Sequence, residues 1–117
     1  MFREVLGRIV DSLKDVYGVF VMDSDGLSVE KVVLGDEYIL ETLAVECANY
    51  MKNAQIMLSN PQLGGADELF ISASRMQILV KMLSSDYYMI LFLKPGASLG
   101  QARYELSKAK LDLAREF

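Results

Sequence analysis

The chain has 117 residues, 52% of them hydrophobic and 24% charged, with a formal net charge of -4. That is enough for one domain with a core of its own, without disulfides or metals, and the negative balance excludes a general nucleic-acid binder. Histidine is absent and Cys47 is the one cysteine, which removes Ser-His-Asp and Cys-His catalysis and the commonest zinc ligand sets.

The N-terminus shows no basic region followed by an apolar run, and no uncharged stretch reaches membrane length, so a soluble, cytoplasmic protein with no membrane insertion is expected. The first helix is predicted from about Phe2 to Val16, because Phe2, Val5, Leu6, Ile9, Val10 and Leu13 recur at helical spacing along one stripe. Gly18 follows as its C-cap. The apolar run 19–22 then reads as a strand buried on both faces, hence central in a sheet. Asp23-Ser24-Asp25-Gly26 has the chemistry of a hairpin turn, in which Asp-Gly tolerates positive φ. The second strand returns from Leu27 to Leu34.

Asp36 is placed to cap a long helix running to Leu58. With residues about 100° apart, one apolar row runs Ile39, Leu43, Cys47, Tyr50, Ala54, Met57, and a second runs Leu40, Ala44, Ala48, Met51, Leu58. Together they span roughly 140–180°, more than the roughly 100° stripe of an ordinary surface helix. Val45 and Ile56 lie outside that arc, beside Asn49 and Lys52. A helix this apolar either lies deep or covers its own sheet and a second partner.

Residues 59–65 form a loop by composition. Three strands follow, Glu68 to Ala73, Met76 to Leu83 and Tyr87 to Leu93, joined by turns short enough for an antiparallel meander. Ser98 and Gln101 form a capping box for a last helix that buries Leu99, Ala102, Leu106, Ala109 and Leu113, with Phe117 at its end. Its charges, Arg103, Glu105, Lys108, Asp112, Arg115 and Glu116, are assigned to solvent. The order α-β-β-α-β-β-β-α, with two apolar sheet faces, requires three layers: an α/β (α+β) sandwich of helix, sheet and helix. The first and last helices share one face, and the long helix covers the other nearly alone.

The opening amphipathic helix, the strand Gly18-Val19-Phe20-Val21-Met22-Asp23, the Asp23-Ser24-Asp25-Gly26-Leu27 hairpin, the long helix, the meander and the closing helix together resemble the roadblock (dynein light chain) family, especially its prokaryotic MglB-like members. The resemblance covers essentially the whole chain, 1–117, and rests on order and spacing. It implies a profilin-like α/β/α sandwich with an antiparallel sheet ordered 2-1-5-4-3. It also implies a dimer formed by pairing the third strand across a two-fold axis and packing the long helices side by side. The family scaffolds and regulates Ras-like small GTPases, and some MglB-like members stimulate GTP hydrolysis by reshaping the GTPase's own site. The chain stops at Phe117, and the tail that longer relatives use in partner contacts is expected to be lacking, which bears against a GTPase-activating role.

Other motifs carry blander readings. Asp23-x-Asp25-Gly26 could begin a calcium loop, but Leu27 and the missing twelfth-position Glu favour a turn. Gly64-Gly65 lacks the lysine and spacing of a phosphate-binding loop. Arg75 at a turn tip is assigned to solvent rather than to an arginine finger, and Asp36-Glu37 to helix N-terminal charge. The seven methionines fill core positions, with Met51 and Met57 left open.

The expectation is therefore a non-enzymatic homodimer, or a heterodimer with a paralogue, that binds a Ras-like GTPase and needs no cofactor or metal. The dimer is assigned to Glu68, Leu69, Phe70, Ile71, Ser72 and Ala73, with Ala44, Ala48 and Met51 on the helix edge. Leu43 and Cys47 are assigned to the sheet, and Val45, Asn49, Lys52 and Ile56 to the GTPase. The rival reading is a small-ligand sensor with a pocket between sheet and long helix.

Overall fold

A computed structural model describes residues 1–116. The chain runs α1 (Phe2–Ser12), β1 (Val16–Asp23), β2 (Ser28–Val33), α2 (Glu37–Met57), β3 (Glu68–Ser72), β4 (Gln77–Ser84), β5 (Tyr87–Leu93) and α3 (Leu99–Leu113). The five strands form one antiparallel sheet in the order β2-β1-β5-β4-β3, as the resemblance implied. The chain's early hairpin and late meander meet where β1 pairs with β5, Phe20 opposite Ile90.

Alternation along the central strands divides the core in two. Val19, Val21, Leu79 and Leu91 point to the side of α1 and α3, where Leu6, Ile9 and Leu106 meet them. Phe20, Ile78, Ile90 and Phe92 point to α2, against Leu40, Ala44 and Met51. Phe20 and Phe92 pack edge to face, with ring centroids 5.6 Å apart at 84°, an arrangement the ring quadrupoles favour. The unbroken apolar run 19–22 of β1 and the apolar sequence of β5 follow from this, since helices bury both faces of each strand.

Several local expectations are corrected. The first helix stops at Ser12, and Leu13 is already extended at φ -112. Gly18 is not its cap but lies within β1, where a Cβ would stand 3.0 Å from Leu40 Cδ1 and 3.1 Å from the Val32 carbonyl oxygen. Glycine is needed there for close approach, not for termination. Ser98 caps α3 by accepting from the Gln101 N–H at 3.3 Å. The Gln101 amide, however, donates to the Ser12 carbonyl at 3.1 Å, tying α3 to the end of α1 instead of closing a capping box. Glu105, assigned to solvent, is buried between the two helices. The assignment of Phe117 lies outside the described residues. At the first hairpin the Asp23 carboxylate accepts from the N–H groups of Asp25 and Leu27, both at 2.9 Å. Gly26 takes φ 85, as the turn chemistry predicted.

Candidate interaction site on the long helix and the β3 edge

Asp36 accepts from the Ile39 N–H at 3.0 Å, and the helix that begins there lies over β1, β5 and β4. Its deeper face is not the expected one. Leu40, Ala44, Cys47, Ala48 and Met51 are the residues buried against the sheet. Ala44, Ala48 and Met51 were assigned to a second subunit, and this is corrected: they are already covered within one chain. Two alanines let the helix backbone approach a sheet face crowded by Phe20 and Phe92. Cys47 is buried as assigned, whereas Leu43 is half-buried at the flank.

The outward flank on the β3 side carries the other row. Ile39, Tyr50 and Met57 are exposed, Met57 by 73%. Tyr50, Asn53, Ala54 and Met57 line an open groove of about 490 Å³ whose far wall is Leu69 and Ile71 of β3. Both walls are apolar, so water gains little from them. Gln55 holds the walls together. Its amide donates to the Ala66 carbonyl and accepts from the Ala66 N–H at 3.0 Å, hooking the chain that enters β3 onto α2. Gln55 and Tyr50 are residues the sequence assignment missed, whereas Met57 was left open there. Tyrosine was a usable signal, because its hydroxyl favours a site with one wet end over a dry core.

β3 is the outer strand, paired only with β4. Ladder bonds alternate along an antiparallel strand. The Ala73 N–H reaches the Met76 carbonyl at 2.8 Å and the Met82 N–H reaches the Asp67 carbonyl at 3.0 Å. Leu69 and Ile71 share that side, so Glu68, Phe70 and Ser72 direct their backbone N–H and C=O groups outward. Ala73, assigned to the strand, instead closes the β3–β4 turn. On the α3 side of the strand, Glu68 accepts from Arg103 Nε at 3.1 Å, and the Arg103 guanidinium lies 5.5 Å from the Phe70 ring centroid. Asp67 accepts from Lys81 at 2.9 Å and faces Lys110 at 3.4 Å. The Lys81 hydrogen bond, chiefly, holds the Asp67 carboxyl below the usual carboxylate range against its partial desolvation.

Val45, Asn49, Lys52 and Ile56 are all exposed, on the flank of α2 away from β3. Val45 is 40% exposed and Ile56 65%, and Val45 overlooks a shallow groove beside Gly26 and Leu27 of the hairpin. Lys31 of β2 pairs with Glu41 and Glu37 on the same side. The space between α2 and the sheet, where a sensor's ligand would sit, is filled by Phe20, Phe92, Leu40 and Met51, each 2% exposed or less.

The site carries little reactive chemistry. Burial, with the neighbouring Glu46 carboxylate adding to it, pushes the Cys47 thiol up to about 11, so the nucleophilic thiolate is scarce at neutral pH. Among the described residues no group of three or more His, Cys, Asp or Glu side chains could hold a metal ion. Among the described residues no helix is long and apolar enough to cross a membrane.

No family model matches the chain, and no curated protein sequence matches it. Solved structures do. The Roadblock/LC7 domain from Streptomyces avermitilis superposes with a TM-score of 0.85 at 11% identity, over 97% of this chain and 94% of that one. The gliding protein MglB from Thermus thermophilus gives 0.84 at 20% identity, over 97% of this chain and 85% of that one. MglC from Myxococcus xanthus gives 0.74 at 21% identity, over 99% and 98%. An MglB of the same shape, with a TM-score of 0.82 at 19% identity over 97% and 85%, has a tetrameric arrangement. At these identities the likeness is one of architecture: the chain has the roadblock/LC7 fold.

Proposed function

We propose that this chain is a prokaryotic MglB-like roadblock protein, a homodimeric cytoplasmic scaffold that binds and regulates a Ras-like small GTPase. The observation that carries the reading is α2. After covering one sheet face it still presents an apolar flank beside an open strand edge, and exposed Val45 and Ile56 on the other. An exposed flat edge with adjacent apolar surface is a template for pairing. Two copies of β3 related by a two-fold axis through Phe70 would align Glu68 with the partner's Ser72. That pairing joins the sheets and sets the two Tyr50–Met57 flanks against each other. The interface is isologous, so it closes at two subunits.

The opposite flank of α2, with Val45, Asn49, Lys52 and Ile56, then faces the GTPase. Isolated apolar residues flanked by an amide and a lysine suit a modest, reversible contact. In this reading any effect on GTP hydrolysis comes from reshaping the GTPase's own site. No cofactor enters this reading. Immobilised protein should retain a Ras-like GTPase when that protein is loaded with a non-hydrolysable GTP analogue, and less when loaded with GDP. Equal or no retention in both states would overturn the regulator reading.

A further inference from the structure

On the sheet face opposite α2, the closing helix α3 has two distinct sides. Ala102, Leu106, Ala109 and Leu113 are buried in the core shared with α1 and the sheet. The opposite side holds Gly100, Tyr104, Ser107 and Leu111, all exposed, Tyr104 by 64% and Leu111 by 77%. Ala114, in the 3-10 turn that continues the helix, is exposed as well. Steps along this side alternate between four and three residues, the heptad spacing of a coiled-coil seam. Size alternates with it. Tyr104 and Leu111 stand out as knobs, and Gly100, Ser107 and Ala114 leave room between them for the knobs of a neighbour. A helix at a domain surface needs one apolar stripe to face its core, and α3 carries a second that its own chain leaves bare.

The charges beside the seam select what covers it. Arg103 and Lys110 flank it on one side, Lys108 and Arg115 on the other, with no acidic residue among them. Arg103 and Lys110 lean towards β3, reaching Glu68 at 3.1 Å and Asp67 at 3.4 Å. Lys108 and Arg115 are exposed, and among the described residues neither makes an ion pair. The strip is therefore basic on a chain whose net charge is -4. Flanking charges set partner choice between packed helices. Two α3 seams laid together would place basic flank against basic flank, which repels a second copy from this face. An anionic lipid surface matches the flanks, but a helix lying in lipid needs a broad apolar side, and here two large apolar residues alternate with small ones. We propose that the outer side of α3 is a docking seam for an amphipathic helix of a partner protein, one with apolar residues at heptad spacing and Asp or Glu along both flanks. The seam goes beyond the GTPase reading and does not rest on it, since α2 lies on the other sheet face.

The test is a nuclear magnetic resonance titration of the full chain with a three-heptad synthetic peptide that has leucine and alanine at its seam positions and glutamate on both flanks. The same peptide with lysine flanks is the comparison. The glutamate peptide should give saturable shifts at the backbone amides of Tyr104, Ser107 and Leu111, and the lysine peptide none. Leu111→Ser, and independently Tyr104→Ser, should weaken binding about tenfold, the loss expected when one apolar side chain is no longer covered. Lys108→Glu combined with Arg115→Glu should reverse the preference between the two peptides, which a contact governed by apolar area alone would not do. Absence of saturable binding, equal binding of both peptides, or unchanged affinity in serine variants whose spectra remain folded overturns the proposal. Binding to phosphatidylglycerol vesicles without binding of the glutamate peptide assigns the strip to lipid, and a Leu111→Ser chain that sediments as a smaller species with no peptide present assigns it to a second copy. Either result also overturns the proposal.

Discussion

The β3 edge offers a sharp test, because one substitution removes a hydrogen-bond donor from the dimer while leaving the subunit's own ladder intact. The Phe70 N–H points away from β4, so Phe70→Pro deletes no bond within the subunit, and proline is tolerated on edge strands of this kind. In the proposed dimer each copy's Phe70 N–H meets the other's Phe70 carbonyl, so two bonds are lost at the two-fold. At about 0.5–1.5 kcal/mol net for each, the loss is about 1–3 kcal/mol, or roughly 5- to 150-fold in the dimer dissociation constant. The Phe70 ring, 36% exposed and near Arg103, is lost as well, so Phe70→Ala is the control that removes the ring but keeps the N–H. Sedimentation velocity over a concentration series should show Phe70→Pro dissociating more readily than Phe70→Ala, with circular dichroism reporting the fold. Should Phe70→Pro unfold, Ser72→Pro removes another outward N–H nearer the strand's end. Proline variants that fold and dimerise as tightly as their alanine counterparts would refute the edge-pairing argument.

Ala44→Leu should overpack the sheet-facing side of α2 by about 1–3 kcal/mol, lowering Tm on the order of 5–15 °C. Measured by calorimetry in the Phe70→Pro background, an unchanged Tm would place Ala44 outside the core. Lys52→Glu combined with Ile56→Asp should weaken GTPase capture by about tenfold while leaving the dimer and Tm in place; undiminished capture moves the contact elsewhere. Cys47 should react with iodoacetamide at pH 8 about a hundredfold more slowly in the folded protein than in urea, as a thiol raised from 9.0 to about 11 requires. Because the fold favours the protonated thiol, its contribution to stability is constant below pH 9 and declines as pH rises towards 11. Equal alkylation rates in the two states would contradict the burial.

Much of the architecture was legible in local pattern. The period-3.6 stripe of α1, the unbroken apolar runs of β1 and β5 and the Asp-Gly turn each state their own structure within a few residues. The Asp36 and Ser98 caps do the same for the starts of two helices. The edge role of β3 was legible less directly, through the resemblance, and only the ladder bonds of Asp67 and Ala73 reveal which of its amides face outward. Glu105 misled because a charged residue in an amphipathic helix is normally solvated. Its burial depends on α1 lying alongside, which nothing within α3 records.

What the sequence by itself determined was therefore the order of elements, their approximate limits and the surplus of apolar surface on α2. All of these depend on interactions between residues a few positions apart. Which part of that surplus faces inward was decided only by tertiary packing. The two apolar rows of α2 lie about a quarter turn apart on the helix, and both satisfy the same periodicity. Against the bulk of Phe20 and Phe92, the row with Ala44 and Ala48 fits closest. It turns inward and leaves Ile39, Tyr50 and Met57 exposed, the last two beside β3.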